Sequence, residues 1–365
     1  MKITKVDTIA LSIPFDLGTD KPDWGDKFAQ NLDTLLIRVE TDNGLVGWGD
    51  AFAYGSLRAV QAAVEDMIAP KVIGADARDI IGINHRLQQE NHLWGRYGIT
   101  LFAISGLDIA LWDLAGKAAN MPLVQLLGGA TTKPLPAYAS LFRYGDAATV
   151  KRVTAEVAAA GYEHVKLHEV TVEAVEAARR GGGDKMAIMV DTNCPWTPVA
   201  ATKMVSAMAA YDPYWIEEPI FPPEDFDALA RLRMETGVRL AAGENACTSF
   251  QFQAMFAAGA VDFAQPSVTK VGGITEFQKI TALAETAGVQ IMAHSPYFGP
   301  GFLATLQLAA ALPKPGLIER FHANLAANLM GPWVDPKDGY FHIPDGPGLG
   351  ADPDPDVIAR FRVTP

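Results

Sequence analysis

Polar side chains recur at a nearly constant interval through the second half of the 365-residue chain. His168, Asp191, Glu217, Glu244, Ser267, His294 and Glu319 are separated by 23, 26, 27, 23, 27 and 25 residues. Lys166, Asn193, Glu218 and Asn245 stand beside four of them. Each interval accommodates one strand, one helix and their connections, so the spacing predicts one polar group per strand end, all on the same rim of a β/α barrel. Asp191, Glu217 and Glu244 fall on three consecutive strands. Taken singly, each reads equally well as a solvated strand-end acid. Three carboxylates converging in a cleft repel one another, and oxygen-only ligands favour a hard divalent cation: Mg²⁺ is expected, with Mn²⁺ as a substitute. Glu218 reads as a supporting group or the partner of a salt bridge.

In Val165-Lys166-Leu167-His168, the two-residue period of a strand puts Lys166 and His168 on one side and the aliphatic residues on the other. Two readings of Lys166 stand open: a cation paired with one of the acids, or a group with its own part in the chemistry. An ammonium beside His168 disfavours a second positive charge and leaves the imidazole neutral and able to accept a proton. His294 lies five strands further on, across the rim; alone it also reads as a satisfied structural histidine. Two proton carriers facing each other across a metal describe an enzyme that removes a proton at one point and delivers one at another.

The elements that must hold these groups are legible as short apolar runs alternating with Ala-rich helical stretches after Leu126-Leu127-Gly128-Gly129. The expected strands are Leu135–Leu141, His164–Val170, Met186–Asn193, Tyr214–Pro219, Arg239–Asn245, Phe263–Val268, Gln290–Ser295 and Leu317–Arg320. Eight such strands predict a closed parallel barrel. Upstream, Ile9, Leu11 and Ile13 share one strand face and Leu35, Ile37 and Val39 another, and Asp42-Asn43-Gly44 turns the chain, which is the pattern of an antiparallel meander. Ser56 is placed to cap a helix carrying Leu57, Val60, Val64, Met67 and Ile68 and stopped by Pro70. Ile99–Lys117 is apolar nearly all round and predicts a buried helix. The domains expected are an α+β unit over residues 1–125 and a barrel over 126–339, with the tail from about 340 to 365 completing the first.

Composition narrows the function. Apolar residues make up 49% of the chain, enough for a sizeable core. With 30 Lys+Arg against 42 Asp+Glu, a formal charge of −12 and no basic run, nucleic acid is excluded as the expected partner. Two cysteines, Cys194 and Cys247, make no disulfide framework and point to a reducing compartment. No run of about 18 uncharged apolar residues predicts a membrane span, and Met1–Phe15 lacks an apolar signal core, so the expected location is cytoplasmic.

The chemistry-bearing stretches resemble the enolase superfamily, and within it the mandelate racemase and muconate lactonizing enzyme group. The resemblance rests on Gly106-Leu107-Asp108-Ile109-Ala110-Leu111-Trp112-Asp113-Leu114, Val190-Asp191-Thr192-Asn193, Trp215-Ile216-Glu217-Glu218-Pro219 and Gly243-Glu244-Asn245. Gln265-Pro266, Gly272-Gly273-Ile274-Thr275 and the tail Pro344-Asp345-Gly346-Pro347-Gly348-Leu349-Gly350 extend it over nearly the whole chain. It implies an α+β capping domain over a modified (β/α)7β barrel, Mg²⁺ on Asp191, Glu217 and Glu244, and abstraction of the proton α to a substrate carboxylate. The chain departs from the family pattern twice. His168 replaces the second lysine of Lys-x-Lys, which leaves Lys166 as the supporting cation by position while its role as proton carrier stays open. Ser267 stands where the mandelate-racemising group has an Asp that orients the histidine of the next strand, so His294 is expected to be the weaker base and the readier acid.

A base on one side and an acid on the other suit β-elimination or ring opening better than racemisation. The expected substrate is a small carboxylate: a polyhydroxy acid, its lactone or an anhydro-sugar acid, undergoing dehydration or cycloisomerisation. The family implies that Glu319 hydrogen-bonds the substrate carboxylate or enediolate, against a simple pair with Arg320; Asn193 is a further substrate contact. Trp24, Phe52 and Tyr54 lie on loops that cover the site in this family, and aromatics there also read as interface packing. Racemisation or epimerisation is the alternative within the family, a two-carboxylate glycosidase and a non-catalytic binding protein the alternatives outside it. A homo-oligomer is expected.

Overall fold

A computed structural model describes residues 1–18, 31–130 and 133–364. β1 (Ile3–Asp16), β2 (Asn31–Thr41) and β3 (Val46–Ala51) form the expected antiparallel meander, with Ile9 opposite Leu36 and Ile37 opposite Gly49. The turn into β3 uses Gly44 at φ +83°, where a side chain would be strained. Helix α1 (Leu57–Ala62) begins after Ser56, but the serine side chain makes no cap hydrogen bond. The helix does not stop before Pro70 either. It widens into a π-helical turn over Ala63–Ile68 and tightens into a 3₁₀ turn, Ala69–Lys71, whose first turn tolerates the missing N–H of proline.

Helices α2 (Ile80–Glu90) and α3 (Ile99–Ala119) complete the cap. α3 lies directly on β3: a Cβ on Gly47 or Gly49 would run into the carbonyl oxygens of Ala110 and Gly106. By length and hydropathy α3 passes for a membrane span, yet 78% of its most apolar window is buried among the described residues.

The second layer is a curled sheet of eight parallel strands, β4 (Leu135–Ser140), β5 (His164–Leu167), β6 (Ala187–Asp191), β7 (Pro213–Glu217), β8 (Leu240–Ala242), β9 (Phe263–Ala264), β10 (Gln290–Ile291) and β11 (Ile318–Phe321), with the short strand Tyr340–Phe341 added antiparallel to β4. Pairing runs β10-β9-β8-β7-β6-β5-β4-β11, and a helix follows each strand but the last, which makes the barrel (β/α)7β. At the β10/β11 seam, among the described residues, the pairing gives way to a contact of the Leu317 N–H with the Met292 sulfur at 3.3 Å. Four of the helices start on a side chain that accepts a first-turn N–H: Asp146, Thr171, Thr197 and Asp225.

The barrel interior is filled at its base by Tyr138, Met189, Trp215, Ala241, Phe263, Met292 and Leu317. Two residues further along β6, β7 and β11 stand Asp191, Glu217 and Glu319. The strand period thus lays a polar storey directly on an apolar plug. Several of the strands are shorter than the sequence pattern predicts, by three residues in β5 and four in β9 and β10. The tail returns to the cap, where the Leu349 N–H donates to Asp113 Oδ1 (2.8 Å) and the Val363 N–H to the Ala10 carbonyl (2.9 Å).

Candidate active site

Lys166 Nζ is fully buried and forms ion pairs with Glu217 Oε1 (3.1 Å), Glu319 Oε1 (3.1 Å) and Asp191 Oδ2 (3.3 Å). Burial works against its charge, but Glu217, Glu319 and Asp191 outweigh that cost and hold its proton well above the ordinary lysine range. It is a fixed ammonium here. Burial also works against ionising Asp191, and the Lys166 charge with the neighbouring His168 reverses the balance, holding its carboxyl far below the usual range. Glu217 moves the other way, pushed up by burial and then by the Asp191 charge. Glu244, half-buried, is held at about 2, because His294 beside it outweighs desolvation.

The two histidines are held differently. His168 Nδ1 lies 2.5 Å from the Leu141 carbonyl, which can only accept, so Nδ1 carries the proton and Nε2, 3.1 Å from Asp191 Oδ2, is the atom that gains or loses one. His294 Nδ1 meets the Ser267 hydroxyl at 3.2 Å, while Nε2 faces Glu244 Oε2 at 2.6 Å. A hydroxyl donates or accepts with equal ease and imposes no tautomer. Ser267 therefore occupies the position expected of it, but does not set the state of His294.

Asp191, Glu217 and Glu244 each offer an oxygen within 4.8 Å of the other two. Glu244 reaches the group through Gly243, whose φ of +141° and closeness to the Gln265 backbone exclude a side chain. Glu319 turns away from Arg320, which pairs with Asp335, and accepts the Ser295 N–H (3.0 Å) besides binding Lys166. Glu218, at φ +44°, has no cation partner among the described residues, so the salt-bridge reading gives way. It accepts from Asn245 Nδ2 (2.5 Å) and two backbone N–H groups, and burial pushes its carboxyl up to about 7. The backbone N–H of Asn193 donates to Asp191 Oδ1 (3.0 Å). The Tyr54 hydroxyl donates to the Pro296 carbonyl (2.5 Å), and the Phe52 ring meets Tyr54 at a tilt and Phe102 and Tyr297 edge-on, so both aromatics pack between cap and barrel. Trp24 lies outside the described residues. A cavity of about 600 Å³ elsewhere, between the C-terminal ends of helices Gly273–Ala287 and Pro300–Ala311, touches none of these groups.

Two models describing known domains match the chain: the mandelate racemase/muconate lactonizing enzyme N-terminal domain over residues 28–128 and the enolase C-terminal domain-like unit over 148–357. The chain belongs to the mandelate racemase/muconate lactonizing enzyme family of the enolase superfamily. It is similar to D-galactarolactone cycloisomerase of Agrobacterium fabrum, at 32% identity over 90% of this chain and 91% of that protein. Arabinonate dehydratase of Saccharolobus solfataricus is 31% identical over 87% and 88%. The crystal structure of a racemase from Streptomyces coelicolor A3(2) with bound magnesium superposes with a TM-score of 0.85 at 30% identity, covering 99% of this chain and all of the other.

As a member of this family the chain is an enzyme of the lyase or isomerase kind. Its acid triad fits the metal that the family implies. The donors are all carboxylate oxygens, the kind a hard divalent cation takes, and Asp191, Glu217 and Glu244 are the residues that would hold it, beside the Lys166 ammonium. One group escaped the sequence reading. Arg143, after β4, donates from Nε to the His168 carbonyl (2.7 Å) and from Nη2 to the side chain of Asn193 (3.3 Å), tying together the loops that follow β5 and β6. The apolar letters of the first barrel strand hid its two contributions, the Leu141 carbonyl and this arginine two residues further on.

Proposed function

We propose that this enzyme abstracts the proton α to the carboxylate of a sugar acid and expels the β-oxygen, as a dehydratase when that oxygen leaves as water and as a cycloisomerase when it belongs to a ring. The reading rests on one observation above all, the unequal anchoring of the two histidines. His168, with Nδ1–H committed to a carbonyl, is preset as the base and takes the α-proton on Nε2. His294, whose serine neighbour accepts either tautomer, carries a proton on Nε2 toward the leaving oxygen. The electron pair of the broken C–H bond first passes into the carboxylate as an enediolate, and it returns to form the C=C bond between the α- and β-carbons as the C–O bond breaks. The resulting enol takes a proton at carbon and becomes a 2-keto acid.

Asp191, Glu217 and Glu244 would hold Mg²⁺, or Mn²⁺ in its place, and the bound cation supplies the positive charge that lowers the energy of the enediolate. Lys166 adds a second fixed charge, and Glu319, braced by Lys166 and the Ser295 N–H, orients the substrate carboxylate. Asn193 and, as the family resemblance implies, Trp24 and Tyr54 are the further substrate contacts of this reading.

The test is a panel of aldonates, aldarates, their lactones and anhydro-sugar acids incubated with Mg²⁺ in deuterated water. Elimination predicts a 2-keto acid accompanied by α-proton exchange. A product that is only the epimer of its substrate, with no keto acid and no ring change, would replace this reading with a racemase, for which the opposed placement of the two histidines also provides.

A further inference from the structure

The loop after β9 carries a lysine that the chemistry above does not use. Lys270 is 8% exposed, and among the described residues its ammonium has neither a hydrogen bond nor an ion pair. What lies against it is aromatic: Nζ sits 4.8 Å from the ring centroid of Phe52 and 5.9 Å from that of Phe102, both in the cap. Ring faces attract a cation, but they do not replace the hydrogen bonds its three N–H groups lose on leaving water. The carboxylates of the mouth already have partners: His294 for Glu244, Asn245 for Glu218, and Lys166 for Asp191, Glu217 and Glu319.

The position is rigidly built. The Phe52 N–H donates to the Thr269 carbonyl (3.3 Å), Ser105 Oγ receives the Gly272 N–H (2.8 Å), and Asn84 Nδ2 holds the Gly272 carbonyl (2.8 Å). The same loop starts at Ser267, the neighbour of His294, and the charge of Lys270 is among those acting on Glu244 and Glu218. The cap thus clamps an unpaired cation at the rim on the His294 side, within electrostatic reach of the site and outside the acid triad. A lone, desolvated ammonium in a preformed place is a receptor for an anion that arrives with the ligand.

We propose that Lys270 binds a second carboxylate of the substrate, remote from the one whose α-proton is removed, and that the preferred substrates are therefore sugar diacids rather than sugar monoacids. This rests on the elimination reading above and narrows its substrate class.

The experiment compares matched pairs, galactarate against galactonate and glucarate against gluconate, with the Mg²⁺-loaded wild type, Lys270→Met and Lys270→Arg. Methionine retains the packing on Phe52 and Phe102 and removes the charge. Lys270→Met should lower the ratio of kcat/KM for diacid over monoacid by about 100-fold, with the change residing in KM, and Lys270→Arg should restore most of it. Because no pair is guaranteed to turn over, the same pairs are also tested as ligands by calorimetry on the Mg²⁺-loaded His168→Ala protein, with and without Lys270→Met. Tighter binding of the diacids, lost with the lysine, supports the proposal. A wild type that binds monoacids as well as diacids overturns it. So does a Lys270→Met variant that weakens both classes equally, since the charge would then serve the mouth acids or the cap contact. Keto-acid formation from monoacids alone sinks the diacid proposal and leaves elimination standing, whereas exchange and keto acid absent across the whole panel sink the elimination reading itself.

Discussion

Buried carboxylates gather in two regions of this molecule, and they are held in opposite ways. At the seam between cap and barrel, Asp50 accepts the Gly301 N–H, Asp108 accepts the Thr275 N–H (3.0 Å) and Asn84 Nδ2 (2.8 Å), and Asp113 accepts the N–H groups of Trp48 (2.9 Å) and Leu349 (2.8 Å) besides pairing with Lys117. At the mouth, Asp191, Glu217, Glu244 and Glu319 face Lys166, His168 and His294. A backbone donor cannot leave without unmaking the fold. A side-chain cation can be exchanged for a metal ion or a substrate. The seam acids are therefore tied into the architecture, and the mouth acids are the ones that a bound cation or ligand can re-partner.

The widest separation of the two regions is expected from the triad. Asp191→Asn should lower kcat by about 10³-fold or more, because a neutral amide is a poor ligand for a hard cation. It should leave the melting temperature unchanged or slightly raised, since the charge that pushes Glu217 up is gone. Glu217→Gln and Glu244→Gln should likewise lose metal affinity, measured by calorimetric titration with Mg²⁺, and chelator treatment of the wild type should abolish turnover until Mg²⁺ is returned. Full activity in a sample free of metal by elemental analysis would show that these acids are structural after all.

Within the mouth the histidines sharpen the contrast further. His168→Ala should abolish both α-proton exchange with deuterated water and keto-acid formation, by about 10³-fold. His294→Asn should lower keto-acid formation by about 10²-fold and retain slow exchange, because abstraction does not need the departing oxygen to be protonated. If exchange survives His168→Ala and disappears in His294→Asn, base and acid are interchanged.

At the seam the expectation inverts. In Asp113→Asn one of two backbone N–H groups would face an amide NH₂ instead of an oxygen, and Lys117 would lose its buried partner. A loss of about 2–4 kcal/mol of stability follows, visible as a lower denaturant midpoint, with kcat per folded molecule kept within a few-fold. A variant that is fully stable and inactive would move Asp113 from architecture to chemistry.

The two regions also differ in how far they could be read from the sequence. The mouth was legible because a barrel converts chain position into rim position: one β/α unit of about 25 residues returns each polar group to the same edge, and the two-residue period turns Lys166 and His168 inward. The seam was visible only as letters. Asp108 and Asp113 stood in a stretch known by resemblance, with no indication that one reaches Thr275 and the other Leu349, because such long-range pairings follow from how α3 packs. The π-helical turn after α1 left no trace in the apolar spacing, which a helix and a slightly widened helix satisfy alike. Lys270 passed unnoticed for a related reason: a lysine after a strand is ordinarily solvated, and only the packing of Phe52 and Phe102 against it makes it an unpaired buried charge.

The smallest effect is the most specific to the seam. Burial pushes the Asp50 carboxyl from its ordinary 3.8 up to about 7, and the Gly301 N–H only partly opposes this. A group whose folded-state value is raised binds its proton more tightly in the folded protein than in the unfolded chain. The stability it contributes is therefore fully present below about pH 4 and is lost as the pH climbs through 7. Asp50→Asn has no proton to lose, and its side-chain oxygen can still receive the Gly301 N–H. The melting temperature of the variant minus that of the wild type should thus increase from pH 5 to pH 8 by a few degrees and level off above. Scans at constant ionic strength over that range decide the point. A difference that stays flat would mean that Asp50 is ionised throughout, its charge accepted by the N-terminus of the helix Pro300–Ala311, and the seam would then hold its acids as the mouth holds Asp191, charged and compensated.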